Sequence, residues 1–328
     1  MNTVNLEDII GQDRAIRFLR RAYEKNRIPH ALLFTGIPGI GKRSCAFALA
    51  RLLQCRSAKG IAACGVCPDC RKVDSGNHPD LLFVEPSGVS IKVEQIRAIK
   101  NEFALKPFEA ERRIAIIADA HTMNPTAANT FLKILEEPPK GSFMVLTAHQ
   151  ASDLLTTIVS RCQHIAFAPL PAALIADRLV KATQTEPKAA DIVAVWANGS
   201  LGAALAADSE EIRKDRNWLI EEFESLSVNR MSLLLGFAES LSKDKDDLVN
   251  RLEMLKVWIR DLVFAGLCPQ KIINKDLKER IEETLQRYSL LSLLNKTKII
   301  QEAQNALQKS GNRLLVLEWM LIRLCQEV

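Results

Sequence analysis

The chain has 328 residues, 48% hydrophobic and 25% charged, long enough for two or three domains at roughly 100–200 residues each. Only 5% are aromatic, so the cores must be built from Leu, Ile, Val and Ala; the net charge of +5 comes from residues 1–168, where 22 Lys and Arg face 16 Asp and Glu, against 22 and 23 in residues 169–328. No apolar run approaches the ~18 residues of a bilayer span, and Met1 to Asp8 lack the basic start and apolar stretch of a signal peptide, so a cytoplasmic chain is expected.

In chain order, Ala31–Thr35 is a short apolar run stopped by Gly36, which predicts a buried strand, and Lys42–Leu53 a helix. Leu81–Val84 is a second strand, and Val93–Lys106 has helical periodicity through Val93, Ile96, Ile99, Phe103 and Leu105, mostly on one side. Ile114–Ala118 is a third strand, followed by a helix over Asn124–Leu135 that Pro138 and Pro139 end. Phe143–Thr147 and His164–Phe167 complete five strands. Continuously apolar strands alternating with helices predict a parallel sheet covered on both faces.

Pro169 and Pro171 end the alternation. Residues 171–207 predict short Ala-rich helices with a turn at Asn198-Gly199, and long amphipathic helices run from Asp208 to the end. Breaks are expected near Ser227-Val228-Asn229, Cys268-Pro269 and Ser310-Gly311-Asn312. Leu252, Leu255, Trp258, Ile259 and Leu262 recur at helical spacing, and Trp258 and Trp319 read as core or subunit-interface residues. The expected fold class is α/β plus all-α, with domains at 1–168, 169–207 and 208–328.

Four of the eight cysteines cluster as Cys55-x8-Cys64-x2-Cys67-x2-Cys70. Two-residue spacing lets successive thiolates face one ion, Gly65 relieves the turn between them, and Cys55 would close the shell from the end of the preceding helix. Four sulfurs make a closed tetrahedral site, so a zinc here, in an insertion of about 55–78, would be structural. Free thiols or a redox pair are the other readings. His78 is nearby, but four sulfurs already fill the shell.

Gly36-Ile37-Pro38-Gly39-Ile40-Gly41-Lys42-Arg43 follows a strand and opens a helix, the context of a phosphate-binding loop. Its N–H groups and the helix N-terminus favour phosphate, and Lys42 would reach the terminal phosphates. Arg43, however, stands where a Ser or Thr hydroxyl should hold magnesium, and Ser44 lies about 100° further round the helix. The third strand should end in an Asp-Glu pair, but has Ala118-Asp119. Phosphate binding can survive these changes; hydrolysis is not expected to.

These motifs identify a resemblance to the clamp-loader AAA+ family over essentially the whole chain. It is carried by Ile9-Ile10-Gly11-Gln12, the phosphate loop, the four-cysteine insert, His78-Pro79-Asp80, Asn129–Pro139 with its Leu135-Glu136-Glu137-Pro138, and Thr157–Cys162 with its Ser160-Arg161-Cys162. Asn312–Glu318 resembles the family's last collar helix. The resemblance implies an AAA+ module, a helical lid and a helical collar that assembles a hetero-oligomeric ring. It places Thr147 as the sensor-1 residue, and Gly202 where an ATPase would have the sensor-2 arginine. It also implies that Arg161 acts in trans as a catalytic arginine finger at a neighbour's ATP; surface or ion-pairing roles are its alternatives. Lacking the motor's magnesium elements, the chain resembles the non-hydrolysing members. These assemble with tau/gamma motor and delta subunits in the DNA polymerase III holoenzyme and help load the sliding clamp on primed DNA.

The implied site residues are therefore Gly36, Gly39, Gly41, Lys42, Arg43, Ser44, Asp119 and Thr147 for a degenerate nucleotide site, Arg161 for a neighbour's site, and Cys55, Cys64, Cys67 and Cys70 for zinc. Two other functions remain open. One is an autonomous ATPase using Asp119 as base and Ser44 as a magnesium ligand. The other is a zinc-dependent nucleic-acid-binding module, against which stands the lack of aromatics near the cysteines.

Overall fold

The computed structural model describes residues 4–227, 230–243, 247–308 and 311–326. They form two compact units, divided between Pro169 and Leu170. The first unit runs α1 (Asp13–Glu24), β1 (Ala31–Thr35), α2 (Lys42–Gln54), α3 (Pro68–Asp74), β2 (Leu81–Val84), α4 (Val93–Phe103), β3 (Arg113–Ile117), α5 (Pro125–Glu136), β4 (Ser142–Ala148), α6 (Thr156–Val159) and β5 (Gln163–Ala166). Its five strands pair in the order β2-β3-β4-β1-β5, and every pair is parallel.

The near-continuous apolar strands follow from burial on both faces. Leu32, Phe34, Ile114, Ile116, Phe143 and Val145 pack with Ala46, Leu49 and Leu52 of α2. Their neighbours in sequence, Ala31, Leu33, Ala115, Ile117, Met144 and Leu146, pack with Ile96 and Ile99 of α4 and Phe131 and Leu135 of α5. Burying each large side chain stabilises by about 1.5–3 kcal/mol, and the period of two divides that gain between the two layers. The helix expected over 93–106 stops at Phe103, which leaves Leu105 beyond its end and exposed rather than on its apolar face; Pro107 disfavours helical geometry at the residue before it. Asn124 caps α5 instead of opening it, its side chain accepting the Ala127 N–H at 2.8 Å.

β1 lies between β4 and β5, so the chain leaves it to form the far side of the sheet and returns. Ligand sites in open α/β sheets form outside the carboxyl ends of such strands. The phosphate-type loop follows β1, Asp119 follows β3 and His149 follows β4.

The second unit has helices and no strand among its described residues: α7 (Ala172–Thr183), α8 (Pro187–Trp196), α9 (Leu201–Ala206), α10 (Ser209–Ser225), α11 (Met231–Lys243), α12 (Leu248–Leu267), α13 (Lys278–Leu285), α14 (Leu290–Gln308) and α15 (Arg313–Gln326). Ile175, Leu179 and Val193 of α7 and α8 belong to the same hydrophobic cluster as Leu219, Leu252, Trp258 and Leu321. Residues 170–206 therefore share a core with the later helices. Trp258 is fully buried, whereas Trp319 is 38% exposed. Arg216 reaches Asp276 at 2.6 Å, and Asp261 accepts the backbone N–H groups of Ile273 and Asn274, fixing the chain after α12. The expected break at Cys268-Pro269 falls at the end of α12; Val228, Asn229 and Ser310 lie outside the described residues. No helix among the described residues is long and apolar enough to cross a membrane.

Candidate functional site

The loop after β1 is held by its glycines. Gly36 has φ of +147°, and a Cβ there would meet the Phe167 carbonyl oxygen at 2.8 Å. Its N–H donates to the His149 carbonyl at 2.9 Å, tying the loop to the end of β4. Gly39 and Gly41 also take positive φ, and Gly41 caps α2. Lys42 is buried, and its Nζ donates to the carbonyls of Gly36 at 2.5 Å and Ile37 at 2.9 Å. Burial lowers the pKa of this amine, and the Asp119 charge opposes that shift. Gln12, from the segment before α1, closes the other side: its amide donates to the Ala168 carbonyl and accepts the Ala168 N–H.

Arg43 is engaged by side chains of and after β2. Its guanidinium pairs with Glu85 at 3.1 Å and lies 4.3 Å from the Phe83 ring centroid, while Ser44 is exposed. Across the sheet, Ala118 is buried and offers no carboxylate. Asp119 takes a left-handed conformation, with φ of +51°, and its N–H donates to Oγ1 of the buried Thr147 at 3.0 Å. The loop residues, Lys42, Asp119 and Thr147 therefore gather at the carboxyl ends of β1, β3 and β4, without the side chains that would complete a magnesium site.

Sequence reasoning missed two histidines here. His121 and His149 meet in a tilted ring contact, centroids 4.3 Å apart and planes inclined at 41°, beside Asp119. Burial, His121 and Lys42 hold the His149 imidazole below its usual pKa, in that order of weight. The available signal was a histidine just beyond each of two strands, but it has meaning only once β3 and β4 are known to be neighbours.

The four cysteines converge as their spacing predicts. All four sulfurs lie within 4.8 Å of one another, and Cys64 and Cys70 are 4.0 Å apart. A tetrahedron with metal–sulfur bonds of about 2.3 Å has edges near 3.8 Å, so the set fits a metal, and all four are free thiols. Backbone N–H groups already address the sulfurs: Cys64 to Cys55 at 3.2 Å, Cys67 to Cys64 and Cys70 to Cys67 at 3.4 Å. The N–H groups of Val66 and Cys67 bring the Cys64 thiol down to about 6, while burial pushes Cys70 up. Gly65 sits in this turn at φ of +73°. The cluster could bind a metal.

Behind the cluster, Asp69 takes the Arg56 guanidinium at 2.5 Å and lies 3.7 Å from the fully buried His78. Asp80 accepts the N–H groups of Phe108, Glu109 and Ala110 and pairs with Arg113 at 3.3 Å. Burial raises its pKa, but these partners outweigh burial and hold the carboxyl below the usual range. His78-Pro79-Asp80 thus joins the insertion to the sheet, and His78 is no member of the sulfur cluster.

Arg161 follows α6. It pairs with Glu136, the last residue of α5, at 3.0 Å, and donates to the Thr157 carbonyl at 3.0 Å. Gly202 lies exposed in α9.

The family model described as "DNA polymerase III, delta subunit" matches residues 11–171, and that described as "DNA polymerase III, delta subunit, C terminal" matches residues 210–326. The chain is 32% identical to DNA polymerase III subunit delta' of Bacillus subtilis over 317 residues, covering 95% of this chain and 96% of the relative. It is 30% identical to subunit delta' of Pseudomonas aeruginosa, covering 90% and 91%. Against subunit tau of Escherichia coli it is 27% identical, covering 98% of this chain but 47% of tau.

Proposed function

The chain belongs to the delta-prime family of bacterial DNA polymerase III subunits, and on that premise we propose that it is a non-hydrolysing clamp-loader subunit that completes a neighbour's ATPase site. It assembles in the cytoplasm with tau/gamma motor and delta subunits, so that the complex loads the sliding clamp on primed DNA. Residues 1–168 are its AAA+ module, 169–207 its lid and 208–328 its collar. The exposed Leu291 and Leu294 of α14 and Leu315 and Trp319 of α15 are collar contacts to other subunits. Cys55, Cys64, Cys67 and Cys70 hold a structural zinc; the closed sulfur shell leaves no position for catalysis.

The observation that carries the non-hydrolysing reading is the diversion of Arg43. A guanidinium engaged with Glu85 and Phe83 replaces the hydroxyl that would ligate magnesium, and Ala118 removes the second magnesium element. Nucleotide binding remains open to the loop and Lys42. Arg161, kept while the chain's own site is degraded, supplies in trans the planar charge that stabilises a transferring phosphoryl group.

The test is reconstitution. The purified chain alone should turn over ATP far below the ~1 s⁻¹ of ordinary enzymes, yet its addition to motor and delta subunits should raise their DNA- and clamp-stimulated hydrolysis. Turnover by the pure chain that Lys42→Ala abolishes would instead establish an autonomous ATPase.

A further inference from the structure

We propose that Asp119, His121 and His149 form a second metal site, a two-histidine, one-carboxylate cradle for a divalent ion of the zinc class at the mouth of the degenerate nucleotide site. One donor atom from each residue lies within 4.8 Å of the others. With metal–nitrogen and metal–oxygen bonds near 2.0–2.1 Å, tetrahedral donors sit about 3.4 Å apart. The spread needs to close by no more than about 1.4 Å, within reach of small side-chain rotations.

The second observation is independent of the spacing. Nδ1 of His121 is buried and has no hydrogen-bond partner. Buried polar atoms almost always find one, and an exception calls for an unseen ligand such as an ion or water. The alternative reading, a tilted ring contact between two histidines, accounts for the 4.3 Å separation but leaves that nitrogen unsatisfied.

The backbone beneath the donors is already fixed. Asp119 donates its N–H to Thr147, and its carbonyl accepts the N–H and hydroxyl of Thr122. His149 accepts the Gly36 N–H through its carbonyl. Asp119 and His121 follow β3 and His149 follows β4, its parallel neighbour, so the sheet sets their separation. His149 is exposed, which leaves a path for entry.

Donor chemistry selects the ion. Imidazole suits zinc, nickel, cobalt and copper, whereas magnesium prefers oxygen and keeps its waters. The nearby Lys42 charge weakens any dication held by one carboxylate alone, so the imidazole bonds must supply the affinity. This ion is no substitute for magnesium on the phosphate loop, because Arg43 and Ala118 contribute nothing to it. Three protein donors leave a position for water or an anion. The ion would pin the turn after β3 to the end of β4.

The experiment starts from the full chain with its cysteine cluster loaded with zinc. Titration of Zn²⁺ by calorimetry should then show a second, weaker equivalent, and Co²⁺ should bind there without the sulfur-to-cobalt absorption of a thiolate site. His149→Ala and His121→Ala should each weaken that equivalent by at least about tenfold and leave the first unchanged; His30→Ala should alter neither. If His121→Ala does not fold, His149→Gln, which keeps bulk at an exposed position, gives the same reading. Uptake of one zinc only by the wild-type chain would overturn the site, as would a second equivalent that survives loss of His149.

Discussion

The Arg161 guanidinium lies 3.0 Å from the carboxylate of Glu136, so the residue assigned to a neighbour's phosphate is held within its own subunit by the end of α5. Both side chains are well exposed, 36% and 50%. Exposed ion pairs contribute about 0–1 kcal/mol. Such a pair can orient an arginine and still release it to a stronger anion.

Arg161→Ala should therefore change the stability of the isolated chain by less than about 1 kcal/mol, with zinc content and assembly unaltered. ATP hydrolysis at the adjacent motor site should fall by a factor of about 10³ or more, the scale of arginine fingers elsewhere. Arg161→Lys should rescue poorly, because an ammonium lacks the planar fork. Glu136→Gln should leave that hydrolysis intact or raise it. The reading is single-turnover hydrolysis at that one site; an assembled Arg161→Ala complex with normal turnover there would return Arg161 to a structural role.

Metal removal gives a second test. The purified chain should carry one tightly held zinc, and Cys67→Ser should lower its affinity. Chelation should expose the cysteine turns of residues 55–78 to proteolysis, since they lie outside the sheet and are anchored to the first unit by side chains such as Ile61 and the Arg51–Asp74 pair rather than by strand pairing. The helical unit, with its separate core, should melt unchanged. Metal content by atomic emission, paired with limited proteolysis, checks both outcomes.

Asp80 predicts a pH dependence. Its carboxyl is held below the usual range in the folded chain, so the unfolded chain binds its proton more readily and stability rises with pH. The contribution is complete above the unfolded value of about 3.9 and is lost as pH falls from there through the folded value. Asp80→Asn should flatten the pH dependence of denaturant midpoints in this acid range. At neutral pH, Asp80→Ala should destabilise the first unit by at least about 1–3 kcal/mol, because it leaves the N–H groups of Phe108, Glu109 and Ala110 without their acceptor, while Arg113 keeps Glu102.

The five strands, the phosphate-type loop and the sulfur cluster were legible in the sequence because each is a local pattern. An apolar run bounded by Gly or Pro is already a strand that can be buried on both faces, and Cys64-x2-Cys67-x2-Cys70 needs only its own turns to converge. The missing magnesium ligands at Arg43 and Ala118 were readable for the same reason. Residue type alone settles whether a hydroxyl or a carboxylate is present.

What the tertiary structure alone decided is where distant segments meet. Strand order brings His121 beside His149, and the placement of β2 gives Arg43 its partners Glu85 and Phe83. The end of α5 supplies Glu136 to Arg161, and the 170–206 helices share the core of the later ones rather than burying one of their own. Periodicity records which face of an element is apolar but not which element covers it. That choice depends on packing and pairing between residues tens of positions apart, and no spacing along the chain encodes it.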